Sequence, residues 1–483
     1  MVPMLRADEV DDDSDRADAQ IIARKGATAY RRPNNNRSTR QGRIDLQQPL
    51  DRTYAARLPI LHKPACAETH LAASIIETLT YLGLTNTWMA LIPRQIGHSH
   101  CVDHGTNAVV KAAHAIRSQD TASQNASLRS YGMAVSGIAT ILSSNPSSDD
   151  ALIAISLLAG VEIVLNPGEA AMWSHMRGIS AVLELMMRRH GRLSRTASTI
   201  AHWHRIGLFY QPVALGRPSP FDQPQWWHME SAGFPGDTSL MKRFRAISHQ
   251  LFCRLPRLIA LVRSLRQPDK PQPKTYASAC HLAHQLLQLE DEDAESELLH
   301  NVGVRATSDP FDAVVVPASL DLGTPVGFGG LIYYWQTRTI LFRLCLLLST
   351  LSSLHTSIHC SLDNPLSLVY ATVPESQAGF DSAALEAANS RMARSMMMAW
   401  AHHFAQGRCD TWLFCLGMVT LWGALGDMPE YRGMPVSVPQ TWVLQKWNSV
   451  HREPRKYDGL AMDEAAELLR GGPLKGFLVD AFK

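Results

Sequence analysis

The segment His98-Ser99-His100-Cys101-Val102-Asp103-His104 gathers three imidazoles, a thiol and a carboxylate within seven positions. Imidazole nitrogen and carboxylate oxygen are ligands that hold a catalytic zinc ion, and such an ion would activate water for hydrolysis. The spacing argues against that use. One residue too many precedes Asp103 for an H-x-H-x-D-H metal box, and that box follows a β-strand, which the surrounding sequence does not offer. The segment is therefore predicted to be a capping loop between helices. His202-Trp203-His204 and His402-His403 lie in helical patterns, where successive positions turn by about 100°, so neither pair converges on one ion. They are read as surface or packing histidines. The acidic run Glu290-Asp291-Glu292-Asp293-Ala294-Glu295-Ser296-Glu297 carries carboxylates of the kind that bind Mg²⁺ at diphosphate sites. Its density and its solvent-like flanks instead predict a solvated helix end or loop, with an acidic contact surface as the lesser reading. The phosphate and nucleophile motifs G-x-x-x-x-G-K-[ST], G-x-G-x-x-G, G-x-S-x-G and H-E-x-x-H do not occur. Gly323, Gly327, Gly329 and Gly330 cluster, but in a Pro-containing loop with no strand before it. No catalytic, cofactor-binding or metal-binding residue is assigned, and no cofactor is expected.

The eight cysteines show no C-x-x-C spacing. A structural zinc site is built from close ligand pairs of that kind. Cys345 in LFRLCLLL and Cys415 in WLFCLGM sit inside apolar runs, and buried reduced thiols are expected throughout. Met396-Met397-Met398 and most of the eleven tryptophans fall on apolar helix faces. Core packing is the expectation for them, and a small-molecule pocket in a Trp- and Met-rich interior is the alternative.

The first 43 residues are charged in blocks. Residues 1–19 hold the seven acids Asp8, Glu9, Asp11, Asp12, Asp13, Asp15 and Asp18. Residues 20–43 hold seven bases and no acid: Arg24, Lys25, Arg31, Arg32, Arg37, Arg40 and Arg43. Charge blocks without apolar periodicity are usually disordered, so residues 1–55 are expected to be a disordered tail. The basic block is a candidate nuclear import signal or phosphate-binding arm, because arginine neutralises backbone phosphates. Across the whole 483 residues, Lys+Arg 46 against Asp+Glu 44 leaves a net charge of +2, which gives no global pull toward nucleic acid or anionic membrane. The N-terminus MVPMLRADEVDDDSD lacks the apolar run of a secretory signal. The longest apolar stretches, 151–165 and 412–425, fall short of the roughly 20 residues that span a bilayer. A soluble, intracellular protein is expected.

These chemical groups are carried on helices. From about residue 68 the apolar spacing of 3.6 recurs and period-2 alternation is scarce. Helices are predicted over 70–90, 107–117, 126–142, 151–165, 170–189, 331–349, 383–405, 410–425, 438–449 and 462–469. Pro- and Gly-rich stretches at 212–238, 267–275 and 301–330 read as loops inserted between helices. About a dozen helices and no sheet predict an all-α fold, a large multi-helix bundle or array over residues 56–483.

Within that pattern several motifs occur in order. They are Asn107–His114, an alanine-rich helix; Leu128-Arg129-Ser130-Tyr131; the Asp149-Asp150 turn; Leu157-Leu158-Ala159-Gly160-Val161-Glu162; Trp173-Ser174-His175-Met176-Arg177-Gly178; Arg217-Pro218-Ser219-Pro220; and LIYYWQTRTILFRLCLL over 331–347. Together they resemble the helical regulatory domain of fungal zinc-cluster transcription factors, and the resemblance covers most of residues 68–450. It implies a transcriptional regulator or co-regulator in the nucleus, without enzymatic activity. The implied setting is control of a secondary-metabolite gene cluster. The partners implied are a DNA-binding regulator or a second copy of the chain, with a small-molecule effector as a further ligand. One departure limits this. A zinc cluster needs six cysteine thiolates, and residues 1–60 contain no cysteine, so direct DNA reading is not carried over. The alternative is an enzyme that reuses the scaffold. A cavity lined by Trp, Met and His would then catalyse a cyclisation or dehydration without a cofactor.

Overall fold

The computed structural model describes residues 66–81, 88–165, 169–227, 239–267, 273–323, 325–360, 379–406, 411–434, 436–450 and 457–480. Among them are eighteen α-helices, one 3₁₀ helix and a single two-stranded sheet, so the chain is all-α as expected. The expected tail, residues 1–55, lies outside the described residues. The chain divides into two compact units, Met1–Asn166 and Pro167–Lys483.

The first unit contains α1 (Ala67–Tyr81), a 3₁₀ helix (Trp88–Arg94), α2 (His100–Ser118), α3 (Thr121–Ser144) and α4 (Asp149–Leu165). Of the helix predicted over 70–90, residues 70–81 are helical, residues 82–87 lie outside the described residues, and 88–90 open the short 3₁₀ helix, inside which Pro93 lacks the N–H of a regular α-helical bond. Asp120 caps α3 by accepting from the N–H groups of Ala122 and Ser123 at 2.9 Å each. The face of α3 that packs inward is Ser127, Ser130, Tyr131, Ala134, Ile138 and Leu142. Leu128 and Val135 of the same helix are only half-buried. Small residues bring the helices close. A side chain at Gly137 would meet Cys101 Cβ at 2.9 Å, and one at Gly105 would meet Leu157 at 3.2 Å. Ser127 donates to the carbonyl of Ala108 at 2.8 Å, so α3 is tied to α2 by a polar contact as well. Helix α4 is apolar nearly all round, and from Ala151 through Ala159 every residue is buried. Gly132, by contrast, is an exposed mid-helix glycine with open space where a Cβ would stand. Gly132→Ala is expected to stabilise this unit by about 0.5–1 kcal/mol, read as a raised urea midpoint, because alanine loses less backbone entropy on entering a helix.

The second unit holds α5 (Glu169–His190), α6 (Arg195–Trp203), α7 (Arg205–Ala214), α8 (Pro224–Trp227), α9 (Ser239–Leu265), α10 (Pro273–Leu287) and α11 (Glu292–His300). Strand β1 (Gly303–Ala306), α12 (Pro310–Val315), β2 (Ala318–Asp321), α13 (Pro325–Cys360), α14 (Ser382–Ala405), α15 (Thr411–Asp427), α16 (Val438–Val450), α17 (Gly459–Leu469) and α18 (Phe477–Asp480) follow. Three predicted loops contain structure. Residues 301–330 hold an antiparallel pair with Gly303 opposite Asp321 and Ala306 opposite Ala318, the helix α12 between its strands, and the first turn of α13. Residues 212–238 include the end of α7 and the single-turn α8, and α10 begins at Pro273, inside the predicted loop 267–275.

The 36-residue α13 is the hub of this unit, packed by α9, α10, α14 and α15. Its stripe Leu331, Tyr334, Trp335, Arg338, Phe342 and Cys345 is buried throughout. Polar pins fix its register. Trp335 Nε1 donates to Glu295 Oε1 at 2.8 Å, and Arg338 donates to the Leu287 carbonyl at 2.9 Å and to Glu290 at 2.6 Å. Arg343 Nε reaches Asp427 at 2.6 Å and its Nη1 reaches the Ala466 carbonyl at 3.3 Å, which joins α13 to α15 and α17. A second pin holds α12 on α16. The buried Asp312 accepts from Trp442 Nε1 at 2.8 Å and from Lys446 Nζ at 2.7 Å. Each such pair satisfies polar groups that would otherwise be buried at a cost of about 1–3 kcal/mol.

Candidate functional site

The sequence-predicted ligand groups go to structural tasks. The histidine-rich segment is partly helix rather than a loop. Residues 100–104 form the first turn of α2, with Ser99 as its N-cap residue. Asp103 accepts from the Gly97 N–H at 2.9 Å and so ties the chain that leads into α2. No cluster of three or more His, Cys, Asp or Glu suited to a metal ion occurs among the described residues. His402 lies 3.3 Å from Asp321, and the buried His403 stacks on Phe328 with ring centres 4.0 Å apart. The acidic run is less solvated than its composition predicted. Glu292, Asp293 and Glu297 are exposed, but Asp291 caps α11 through the Ala294 N–H and pairs with Arg243 at 2.6 Å, and Glu295 is buried under Trp335. Cys101, Cys253, Cys280 and Cys345 are buried free thiols as expected, whereas Cys66 is exposed and Cys415 half-buried. The side chains of Cys360 and Cys409 lie outside the described residues, as do Arg24, Lys25, Arg31, Arg32, Arg37, Arg40 and Arg43. Among the described residues, no helix is long and apolar enough to cross a membrane.

Met396, Met397, Trp335, Trp400, Trp422 and Trp442 are core, as expected, whereas Met398, Trp203 and Trp227 are half-buried and Met133 and Met434 are exposed. The first unit has a groove of about 800 Å³, lined by Leu71, Ile96, Val110, Asp103, Asn107 and Lys111 among others, with neither Trp nor Met in its wall.

The most unusual chemistry in the second unit is a buried basic cluster that sequence reasoning did not find. His202 lies in the last turn of α6, Arg205 opens α7 just after His204, and both side chains are buried. On α9, Arg245, His249 and Cys253 recur every four residues and so share one face. All of these are more than nine-tenths buried. Arg205 donates to His202 Nε2, and its guanidinium lies 3.6 Å from the centre of the Tyr333 ring and 5.9 Å from that of Phe252. The His202 and His249 rings are 6.3 Å apart, and His249 Nε2 lies 2.8 Å from the carbonyl of Trp226. A cation over an aromatic face is stabilised by the ring quadrupole, most strongly where water is excluded.

The electrostatics follow from burial. Desolvation holds the His202 imidazole well below its usual range, and the charges of Arg205, His249 and Arg245 push it the same way. Desolvation also pushes His249 down to about 4 and His204 down to about 3. Arg245 is pushed down to about 10 by burial first and by Arg205 second, while the Tyr333 phenol acts in the opposite sense. The three imidazoles are therefore neutral in the native state at pH 7. Unfolding returns each to a pKa of about 6.5, so below that pH the unfolded chain takes up protons the native chain refuses. Stability contributed by these residues is present above about pH 6.5 and is lost as pH falls toward the native values, at up to about 1.4 kcal/mol per pH unit for each imidazole. Thermal midpoints measured at pH 7.5, 6.5 and 5.5 are expected to drop steeply in the last interval. His249→Gln is expected to flatten that drop by one proton.

Residues 97–370 match the family described as the fungal specific transcription factor domain, a span of more than half of the 483-residue chain. The chain belongs to this family. No curated protein and no solved structure matches it. The fungal transcription factor domain takes in every motif that carried the resemblance, from Asn107 to Leu347, and is narrower than the 68–450 stretch they suggested. In its three-dimensional form those motifs are packing devices. Tyr131 and Leu157 are buried core, Trp173 meets Tyr210 edge-on with ring centres 6.1 Å apart, and Arg338 and Arg343 are the polar pins of α13. The basic cluster lies within the same matched span, and membership of the family supports a role in regulating transcription.

Proposed function

We propose that the protein is a nuclear regulator or co-regulator of transcription that controls a fungal secondary-metabolite biosynthetic gene cluster. The observation that carries the regulatory part is the match of residues 97–370 to the fungal specific transcription factor domain. Secondary metabolism enters by analogy, because regulators of this kind often sit beside the pathways whose genes they control. The helical body, residues 56–483, acts as scaffold, and a DNA-binding regulator or a second copy of the chain is its partner. Arg24, Lys25, Arg31, Arg32, Arg37, Arg40 and Arg43 supply the import signal or a phosphate-binding arm in the charged tail, residues 1–55. A family of transcription factors favours a non-enzymatic role.

Two measurements test this reading. Chromatin immunoprecipitation of the tagged full chain is expected to enrich promoters of one biosynthetic cluster, and uniform background across the genome would overturn it. Removing residues 1–45 and imaging the protein tests the arm. Loss of nuclear accumulation supports the import role, and unchanged accumulation removes it.

A further inference from the structure

The turn that joins α5 to α6 carries positive charge that the protein leaves mostly unbalanced. Residues 188–195 read Arg188-Arg189-His190-Gly191-Arg192-Leu193-Ser194-Arg195, with four arginines and no acid in eight positions. All four arginines are exposed. Arg188 pairs with Glu184, one turn back on α5. The guanidinium groups of Arg189, Arg192 and Arg195 have no hydrogen bond, ion pair or ring contact among the described residues. Gly191 makes the cluster compact. Its φ of +66° and the bond from its N–H to the Met187 carbonyl at 2.8 Å end α5, and Ser194 already caps α6 through the Ala197 N–H at 3.0 Å.

Helix dipoles explain part of this charge and oppose the rest. Arg188, Arg189 and His190 close α5, where the partial negative charge of a helix C-terminus favours cations. Arg192 and Arg195 stand instead at the start of α6, where the partial positive charge favours acids, and the first turn of α6 holds none. The N–H groups of Arg195 and Thr196 there have no acceptor among the described residues. A local electrostatic rule broken without compensation inside the protein points to a compensating group outside it. Helix N–H groups beside unpaired guanidinium forks are the donors that phosphate oxygens accept. The surroundings select among anionic partners. A protein partner is anchored by aromatic or aliphatic side chains, and no large apolar side chain between Met133 and Leu215 is exposed among the described residues. A nucleic-acid backbone asks only for cations and N–H donors.

We propose that the α5–α6 turn contacts the phosphodiester backbone of duplex DNA, with Arg189, Arg192 and Arg195 neutralising phosphates and the start of α6 donating N–H bonds. Such a contact positions the protein and reads no sequence. It adds affinity to a sequence reader carried by a partner, because linked contacts multiply in strength without new specificity. The choice of duplex DNA over RNA rests on the transcriptional reading above; the unpaired charge and the preference for phosphate do not.

The test titrates a short labelled duplex of arbitrary sequence with the purified full-length chain at several salt concentrations and follows fluorescence anisotropy. The triple variant Arg189→Gln, Arg192→Gln, Arg195→Gln is expected to bind roughly 10- to 100-fold more weakly at low salt, with the slope of log affinity on log salt shallower by about one per arginine. Arg192→Gln alone, at a position outside both helices, is expected to reduce the slope by about one, which keeps the test decisive if the triple variant is unstable. The control variant Arg117→Gln, Arg394→Gln, Arg432→Gln removes the same formal charge from exposed arginines that already pair with Glu77, Glu430 and Glu386, and is expected to leave the slope unchanged. The basic block at 24–43 is common to all these proteins and cancels. No salt-dependent binding by the wild type, equal affinity and slope in wild type and the first variant, or an equal loss in the control would overturn the proposal. Tighter binding of single-stranded RNA would overturn the assignment to duplex DNA, and poly-glutamate that competes as well as DNA at matched charge would overturn the assignment to phosphate. A lower thermal midpoint with unchanged DNA binding would assign the arginines to the helix ends alone. All of these outcomes are read on purified components, so they are separable from failure of the transcriptional role, which is read on transcripts.

Discussion

Asp427→Ala is expected to lower the unfolding free energy of the second unit by about 3–5 kcal/mol, the range for breaking a buried ion pair from one side. Asp427 ends α15 and serves two arginines, Arg343 at 2.6 Å and Arg470 at 3.2 Å. Arg343 is nearly fully enclosed, with its side chain 4% exposed, so removal of the carboxylate strands a guanidinium where water does not reach it. Burial alone would raise the Asp427 carboxyl, but Arg343 and Arg470 outweigh it and hold the group below the usual carboxylate range. A carboxyl held low in the native state contributes stability that is present above about pH 4 and is lost as pH falls through its native pKa. Asp427→Asn is accordingly expected to cost less than Asp427→Ala, because the amide oxygen still accepts from Arg343. Urea unfolding followed by tryptophan fluorescence reports both.

Gly423→Ala is expected to cost at least about 3 kcal/mol through the same assembly. Gly423 lies one turn before Asp427 on α15, and the Arg343 guanidinium passes directly over it. A methyl group there would overlap Nη1, Nη2 and the central carbon of that side chain. The end of a free arginine would swing aside, but this one is fixed by Asp427 and the Ala466 carbonyl. Relief of the clash therefore gives up the ion pair, and overpacking of this kind costs about 1–3 kcal/mol before that loss is added. The two effects must couple. In an Arg343→Ala background the overlap with the guanidinium is gone, so Gly423→Ala is expected to cost much less there. An additive double mutant would show that Gly423 acts through some other contact.

The arginine that dominates both predictions was visible in the sequence only as part of a family-like helix. LIYYWQTRTILFRLCLL gave away its helicity and its buried face, because apolar residues repeat at helical spacing and Arg338 and Arg343 interrupt them. What those arginines hold was not legible. Glu290, Asp427 and Ala466 lie 48, 84 and 123 residues away from them in sequence, and periodicity carries no information at that range. Helix α9 was missed for a related reason. Pro256 reads as a breaker, and Arg245, His249, Arg254 and Arg263 make its buried face look polar. The basic cluster lies on that face. A signal was present, basic residues at positions 245 and 249 within an apolar stripe, but reading it required knowing that α6, α7 and α13 close over it. The hairpin of β1 and β2 has only four residues per strand, too few for alternation to register.

The central claim is that this helical domain governs transcription. Transcript profiling after gene deletion in the host fungus, run alongside metabolite profiling, addresses it most directly. The account predicts that the transcripts of one contiguous biosynthetic cluster fall or rise together, with the pathway product changing as a whole. Unchanged transcripts with a single accumulating intermediate would contradict it and identify the chain as an enzyme of the pathway instead.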